Sequence, residues 1–332
     1  MSDEKLSRRQ RLRIEARSEE RLERGASAAA GEETGIVVSH LRSEIEVLPA
    51  TGDDTVRCFL RATVPAVVTG DRVLLERDPE EQGRGVIVAL LPRRRLLARH
   101  TARGLRPVCA NLDLLLVTIA PAPAPHADLV DRYLLAAALD ALDAVIVLNK
   151  ADAIAAGARA ELDALLDPRR ALGIDVLEVS AHSGAGLAAL REAIASRSAA
   201  FVGQSGVGKS SLLNALVPDA DAETGALSAR RNRGRGRGRH TTSTTRLYRS
   251  GEALIIDSPG IREFAPDVPD EATLTRGFPE IAAVAERCRF ADCRHEDEPA
   301  CAVRAALEAG TLDSSRLASF RLLREALLTP GH

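Results

Sequence analysis

Lysine is almost missing from this 332-residue chain: of 45 lysines and arginines together, only Lys5, Lys150 and Lys209 are lysine. Two of these three stand inside the nucleotide-type motifs described below, where a compact ammonium on a thin stem does what a planar guanidinium cannot. Tryptophan is absent and aromatic residues make up 2%, so extended base-stacking platforms are excluded and any RNA contact is left to charge and shape. Long apolar runs are lacking too. Stretches such as "LDLLLVTIA" fall well short of the roughly 18–20 residues that cross a bilayer, and the charged N-terminus has no apolar region behind it. A cytoplasmic, membrane-free monomer is expected. Net charge is only −2, so affinity for nucleic acid has to come from local patches. What is present, 45% apolar and 28% charged residues, suits two or three soluble domains.

Residues 1–34 mix Arg with Glu and read as a charged mobile tail, either an RNA-touching arm or a solvated extension. From 35 to 100, short β-type runs such as "TVRCFLRAT" and "GVIVALL" alternate with Gly, Asp and Pro turns, which predicts an OB-type barrel of about five strands. From 101 to 275, strands and helices take turns, with helices expected near 127–141, 153–166 and 186–196, the pattern of βαβ units on a parallel sheet. Residues 276–332 read as a helical domain carrying a cysteine cluster.

"FVGQSGVGKSSLLNAL" follows a strand and opens a helix, the setting a phosphate loop requires. Gly203, Gly206 and Gly208 let the backbone wrap an anion, so that amides of the loop, which also holds Gln204, Ser205, Val207 and Ser211, face the β-phosphate. Lys209 is expected to bridge β- and γ-phosphate oxygens, and Ser210 to ligate Mg²⁺. In "ALIIDSPGI" a strand delivers Asp257 to the same metal and Gly260 to the γ-phosphate.

Guanine offers N1–H and N2–H₂ donors beside an O6 acceptor, and a carboxylate accepting both donors selects it over adenine. In "IVLNKAD" that carboxylate is Asp152; Asn149 holds the loop, the Lys150 stem covers the ring, and Ala151 lies between. "SAHSG" adds Ser180 and the Ala181 N–H, aimed at O6, with His182 incidental. The ligand is therefore read as GTP or GDP. The base reader precedes the phosphate loop, the reverse of the usual order. A site depends on where loops lie in space, and domain ends lie close together on the surface, so cutting a sheet at one loop and joining the old termini near 190–200 keeps every contact.

Between 218 and 246, six arginines are interspersed with glycines from Arg230 to Arg239. A switch is expected here, ordered by phosphate, Mg²⁺ or RNA, with Thr241 or Thr242 as metal-linked sensor. Where many GTPases carry a water-orienting Gln, this chain has Ile261. His240, beside the threonines, is the candidate to position the nucleophile. Further on, Cys288, Cys293, His295 and Cys301 match a closed tetrahedral site for one structural Zn²⁺, leaving Arg289 and Arg294 available for rRNA. Cys58 and Cys109 read as buried apolar residues.

Base-reader motifs ahead of "GQSGVGKSSLLN", followed by "RHTT" and "DSPGIREF", resemble the circularly permuted bacterial GTPases of the RsgA family over about residues 35–305. The resemblance implies an OB-fold, a permuted GTPase domain and a zinc-binding C-terminal domain. It implies a GTPase stimulated by the 30S subunit that binds 16S rRNA in its GTP state during late maturation and leaves after hydrolysis. The alternative is an RNA-binding assembly checkpoint in which nucleotide is mainly structural.

Overall fold

The computed structural model describes residues 32–41, 43–101, 104–217, 245–258, 266 and 268–328. Residues 1–31 of the tail, the Arg/Gly run, His240, Thr241, Thr242 and Gly260 lie outside the described residues.

Five strands, β1 (Glu32–Leu41), β2 (Glu44–Pro49), β3 (Val56–Leu60), β4 (Arg72–Arg77) and β5 (Arg84–Leu90), form a ring in the order β1-β2-β3-β5-β4, which β4 closes by pairing with β1. Only β3 and β5 run parallel. Alternate side chains, among them Val56 and Cys58 on β3 and Val73 and Leu75 on β4, point inward and fill the barrel, as the two-residue period of a strand dictates. This is the five-stranded OB-type barrel. A hairpin, β6 (Leu96–Thr101) with β7 (Gly104–Ala110), follows. Buried Asp71 receives Arg93 through two hydrogen bonds of 2.7 and 2.8 Å, which fastens the approach to the hairpin onto the barrel.

The chain then alternates: β8 (Leu114–Ile119), α1 (Ala127–Leu139), β9 (Asp143–Leu148), α2 (Ala158–Ala171), β10 (Asp175–Glu178), α3 (Leu187–Ile194), β11 (Ser198–Val202), α4 (Lys209–Leu216), β12 (Arg246–Ser250) and β13 (Ala253–Asp257). The strands lie in the order β10-β9-β8-β11-β13-β12. All pairings are parallel except that of β12 with β13. Central β8 is buried along its whole length, the reading expected of a parallel strand covered on both faces. Its Leu115, Val117 and Ile119 pack with α1 and α2, while Leu114 and Leu116 pack with α3 and α4.

One helix departs from the sequence expectation. α2 runs from Ala158 to Ala171 and not over 153–166, because Ala151–Ala153 form a separate 3-10 turn closed by Ala153 N–H to Lys150 O at 2.9 Å. Its far end continues through Pro168, which costs one internal hydrogen bond, and fully buried Arg169 anchors the last turn to Asp131 of α1.

β12 also pairs with β1 at Ser39↔Arg246, joining barrel and α/β sheet into eleven continuous strands. A bulge in β1 between Val37 and Ser39 marks where the strand passes from one to the other. After β13 come α5 (Glu271–Thr275), α6 (Pro279–Ala285), α7 (Ala302–Glu308) and α8 (Ser314–Leu328). They bury Leu274, Phe278, Ile281, Val303, Phe320 and Leu323 in a core that also takes Leu135 from α1. Among the described residues no helix is long and apolar enough to cross a membrane.

Candidate nucleotide site and metal centre

The loop between β11 and α4 is shaped by its glycines. Gly203, Gly206 and Gly208 have φ of 133°, 84° and 94°, values at which a side chain is strained. At two of them space is also closed: a Cβ on Gly203 would collide with the Thr118 carbonyl oxygen, and one on Gly208 with the Asn149 amide. Val207 is buried, Gln204 half-buried, and Ser205, Ser210 and Ser211 are exposed. Lys209, at the first position of α4, folds back over the loop and donates to Gly203 O at 2.8 Å and Gln204 O at 2.6 Å.

The turn after β9 comes to the same edge because β9, β8 and β11 are neighbouring parallel strands, whose C-terminal ends share one side of the sheet. Asn149 is 1% exposed and clamps three loops. Its Nδ2 donates to Val207 O at 2.8 Å, and its Oδ1 accepts from Ala181 N–H at 3.2 Å. The Ala181 amide, read as an O6 donor, is thus engaged with Asn149 here. Lys150 takes a left-handed conformation (φ 60°) and its Nζ reaches Gly206 O at 2.7 Å and Ala122 O at 2.8 Å. The Ala151 N–H donates to Val179 O at 3.0 Å, fixing the turn to the end of the strand that carries the next loop.

Asp152 is exposed, and the hydroxyl of buried Ser180 holds its carboxyl below the usual carboxylate range by a hydrogen bond. Its own backbone amide and nearby His182 add smaller contributions in the same direction. Ser180 is itself oriented, since its Oγ accepts from Ser183 N–H at 3.0 Å. Asp257 ends β13, the strand beside β11, which brings its carboxylate to the edge that carries the phosphate loop. Ser258 next to it shares a 2.8 Å hydroxyl hydrogen bond with Thr245.

The second centre lies between α6 and α7. Cys288 Sγ and Cys301 Sγ are 4.0 Å apart, and each is 3.6 Å from His295 Nδ1. With Cys293, all four ligand atoms lie within 4.8 Å of one another. A tetrahedron with Zn–S of about 2.3 Å and Zn–N of about 2.0 Å has S···S edges near ~3.8 Å and S···N edges near ~3.5 Å, so the residues fit zinc. Arg321 and Arg324 of α8 donate to the carbonyls of His295 and Arg294, tying the cysteine loop to the last helix.

One group was not legible in the sequence. Asp131 of α1, Arg169 of α2 and Arg316 of α8 form a buried ionic cluster. Charged residues on amphipathic helices read as solvent-facing, and the partners stand up to 185 positions apart, so no local signal marks them.

A loop wrapped by three left-handed glycines and clamped to a base-reading turn that precedes it in sequence defines a P-loop nucleotide-binding α/β domain of permuted order. A family model described as RsgA GTPase matches residues 90–266. The chain is 44% identical to the small ribosomal subunit biogenesis GTPase RsgA of Azotobacter vinelandii over the whole of both chains, and 44% identical to that of Ectopseudomonas mendocina over 98% of each. Among solved structures, YjeQ from Thermotoga maritima is 28% identical, with a TM-score of 0.71 over 90% of this chain and 100% of that one. YloQ, described as a circularly permuted GTPase, shares the fold at a TM-score of 0.67 and 24% identity, over 91% of this chain and 97% of that one. The chain belongs to the RsgA GTPase family.

Proposed function

We propose that this protein hydrolyses GTP in late maturation of the 30S ribosomal subunit, engaging the subunit and its 16S rRNA with GTP bound and leaving after hydrolysis. The observation that carries the reading is the Asn149 clamp, one buried amide joining the "NKAD" turn, the "SAHSG" loop and the phosphate loop despite their reversed order. In this reading Asp152 accepts the N1–H and N2–H₂ donors of guanine and Lys209 leaves the loop carbonyls for the β- and γ-phosphates. Ser210 and Asp257 would hold Mg²⁺, which would supply positive charge beside the phosphates, and the Gly260 amide would meet the γ-phosphate. His240 positions water, with Thr241 or Thr242 sensing the metal.

Zinc at Cys288, Cys293, His295 and Cys301 is structural: four protein ligands complete its tetrahedron and leave no position for water. The exposed Arg289 and Arg294 beside it, together with the barrel, serve rRNA. The proposal keeps a barrel up to 100, a GTPase domain at 101–275 and a zinc domain at 276–332 in a cytoplasmic monomer, and shortens the tail read at 1–34, because Glu32–Thr34 already pair with β4 in the barrel. Hydrolysis measured with and without purified 30S subunits tests it. Strong stimulation is expected, and His240→Ala should lower the stimulated rate by roughly 10- to 10³-fold with GTP affinity nearly intact. A rate indifferent to the subunit supports instead the checkpoint role in which nucleotide is mainly structural.

A further inference from the structure

Among the described residues Phe201, Phe278 and Phe320 are buried, whereas Phe59 and Phe290 are 46% and 40% exposed. A single exposed aromatic is ordinary, so its surroundings decide what it can do. Phe59 stands on β3 between Arg57 and Arg61, but Arg61 is paired with Glu76 at 3.1 Å, and Arg84 on neighbouring β5 is paired with Glu81 at 3.2 Å. Most of the cations around that ring are committed to acids.

Phe290 has a different setting. It lies in the turn between Cys288 and Cys293, whose sulfurs belong to the metal cluster. The turn is fixed at both ends: Cys288 N–H donates to Ala285 O at 2.9 Å, and Cys293 N–H to Phe290 O at 3.3 Å. Just beyond it, Arg324 of α8 holds the Arg294 carbonyl at 2.5 Å. The Arg289 guanidinium lies 5.6 Å from the centre of the Phe290 ring. Arg287, Arg289 and Arg294 are exposed, and among the described residues their guanidinium groups form no ion pair or hydrogen bond. The acids that follow are largely engaged. Glu296 pairs with Arg324, Asp297 lies 3.8 Å from Arg304, and the Glu298 carboxylate accepts from the Arg294 and Glu296 backbone N–H groups, both at 2.8 Å. Glu286 and Asp292 stay open to solvent, which leaves three arginines against two acids around the ring.

We propose that Phe290 is a stacking platform for one unpaired RNA base, with Arg287, Arg289 and Arg294 meeting the phosphates on either side of it. The proposal rests on reading the zinc domain as an rRNA-binding face, and it adds the chemistry that face recognises. Every base has a π-face, so an aromatic ring receives any of them, and an arginine guanidinium stacks on bases as well. In a duplex the bases cover one another; only loops, bulges and single strands can splay one out onto the ring. A turn held by ligands and backbone bonds presents the ring already ordered, so little further entropy is lost when a base lands on it. An apolar pocket on a protein would accept the ring but leave the three cations unmatched, whereas a single strand supplies base and phosphates together.

The test uses the full-length, zinc-loaded protein with a non-hydrolysable GTP analogue, titrated against purified 30S subunits. Phe290→Ala should bind roughly 5- to 100-fold more weakly, the range for one lost base–aromatic stack. Phe290→Leu should fall with it, because it keeps apolar bulk without a π-face, and Phe290→Tyr should stay near wild type. Zinc content and melting temperature should not move, since the ring is exposed. The chain has no tryptophan, so Phe290→Trp supplies a single reporter. Oligoadenylate should quench its fluorescence, and the same strand paired with oligouridylate should not. Wild-type affinity kept by Phe290→Ala, or reporter fluorescence indifferent to oligoadenylate, overturns the proposal. So does wild-type affinity kept by Phe290→Leu, which would mark an apolar contact with a protein of the subunit. Failure of the wild type to bind 30S subunits at all sinks the ribosomal reading instead, so the two failures are distinguishable.

Discussion

Asp152 carries its charge in the open, yet one hydroxyl sets how firmly. The Ser180 hydrogen bond lowers the carboxyl's folded-state pKa, so the ionised form persists where a free aspartate, at about 3.9, is half protonated. In the proposed reading, recognition of the guanine edge by Asp152 is then lost only as pH falls through that lowered value. Ser180→Ala should move the loss to higher pH, which an NMR titration of the Asp152 carboxyl alongside GDP affinity will show; an unmoved titration contradicts the assigned cause. Asp152→Asn exchanges an acceptor for a donor, and preference should shift from guanine toward xanthine nucleotides by on the order of 10²-fold, read from competition between GDP and XDP. Elsewhere, burial pushes the thiols of Cys58 up to about 11 and Cys109 up to about 12. Both therefore stay protonated and unreactive at neutral pH, in keeping with their reading as apolar core.

At the scale of elements, the phosphate loop is the most tightly determined. Gly203→Ala combines a strained φ with a collision against backbone, Thr118 O, which no rotamer change relieves. It should weaken GDP binding more than 10-fold and cost about 1–3 kcal/mol of stability, both measurable by calorimetry. The alternation of strands and helices, the barrel and the cysteine spacing were legible because each is a local pattern: a two-residue period, a glycine turn, a run of ligands. The start of α2 was not. The apolar spacing of "ADAIAAGARAEL" is helical throughout, and what delays the helix to Ala158 is the 3-10 turn that follows left-handed Lys150, whose side chain is committed to Gly206 and Ala122 on other loops. Tertiary bonds of this kind leave no trace in the segment they reshape. The Asp131 cluster was illegible for the same reason at longer range.

Across the whole molecule, the ionic cluster and the Cys/His cluster are both tied to α8, through Arg316 and through Arg321 and Arg324. Asp131→Ala would leave Arg169 and Arg316, 0% and 2% exposed, without their shared carboxylate. A loss of about 3–5 kcal/mol is expected in denaturant unfolding, far beyond a surface salt bridge. Chelation of zinc should lower the melting temperature and reduce helical circular dichroism, since the cysteine loop and α8 are held to each other through Arg321 and Arg324. Unchanged spectra in chelator would argue against a structural metal.

The strand that leaves the barrel has a mechanical consequence. Arg246 opens β12, pairs with Ser39, and reaches buried Glu46 at 2.7 Å, while Ser39 donates to the same carboxylate at 2.6 Å. A load on the barrel is therefore borne by ladder bonds and a dry ion pair, not by a slack tether. Under tension the barrel therefore pulls directly on Arg246 and, through β12, on the neighbouring strand that ends in Asp257.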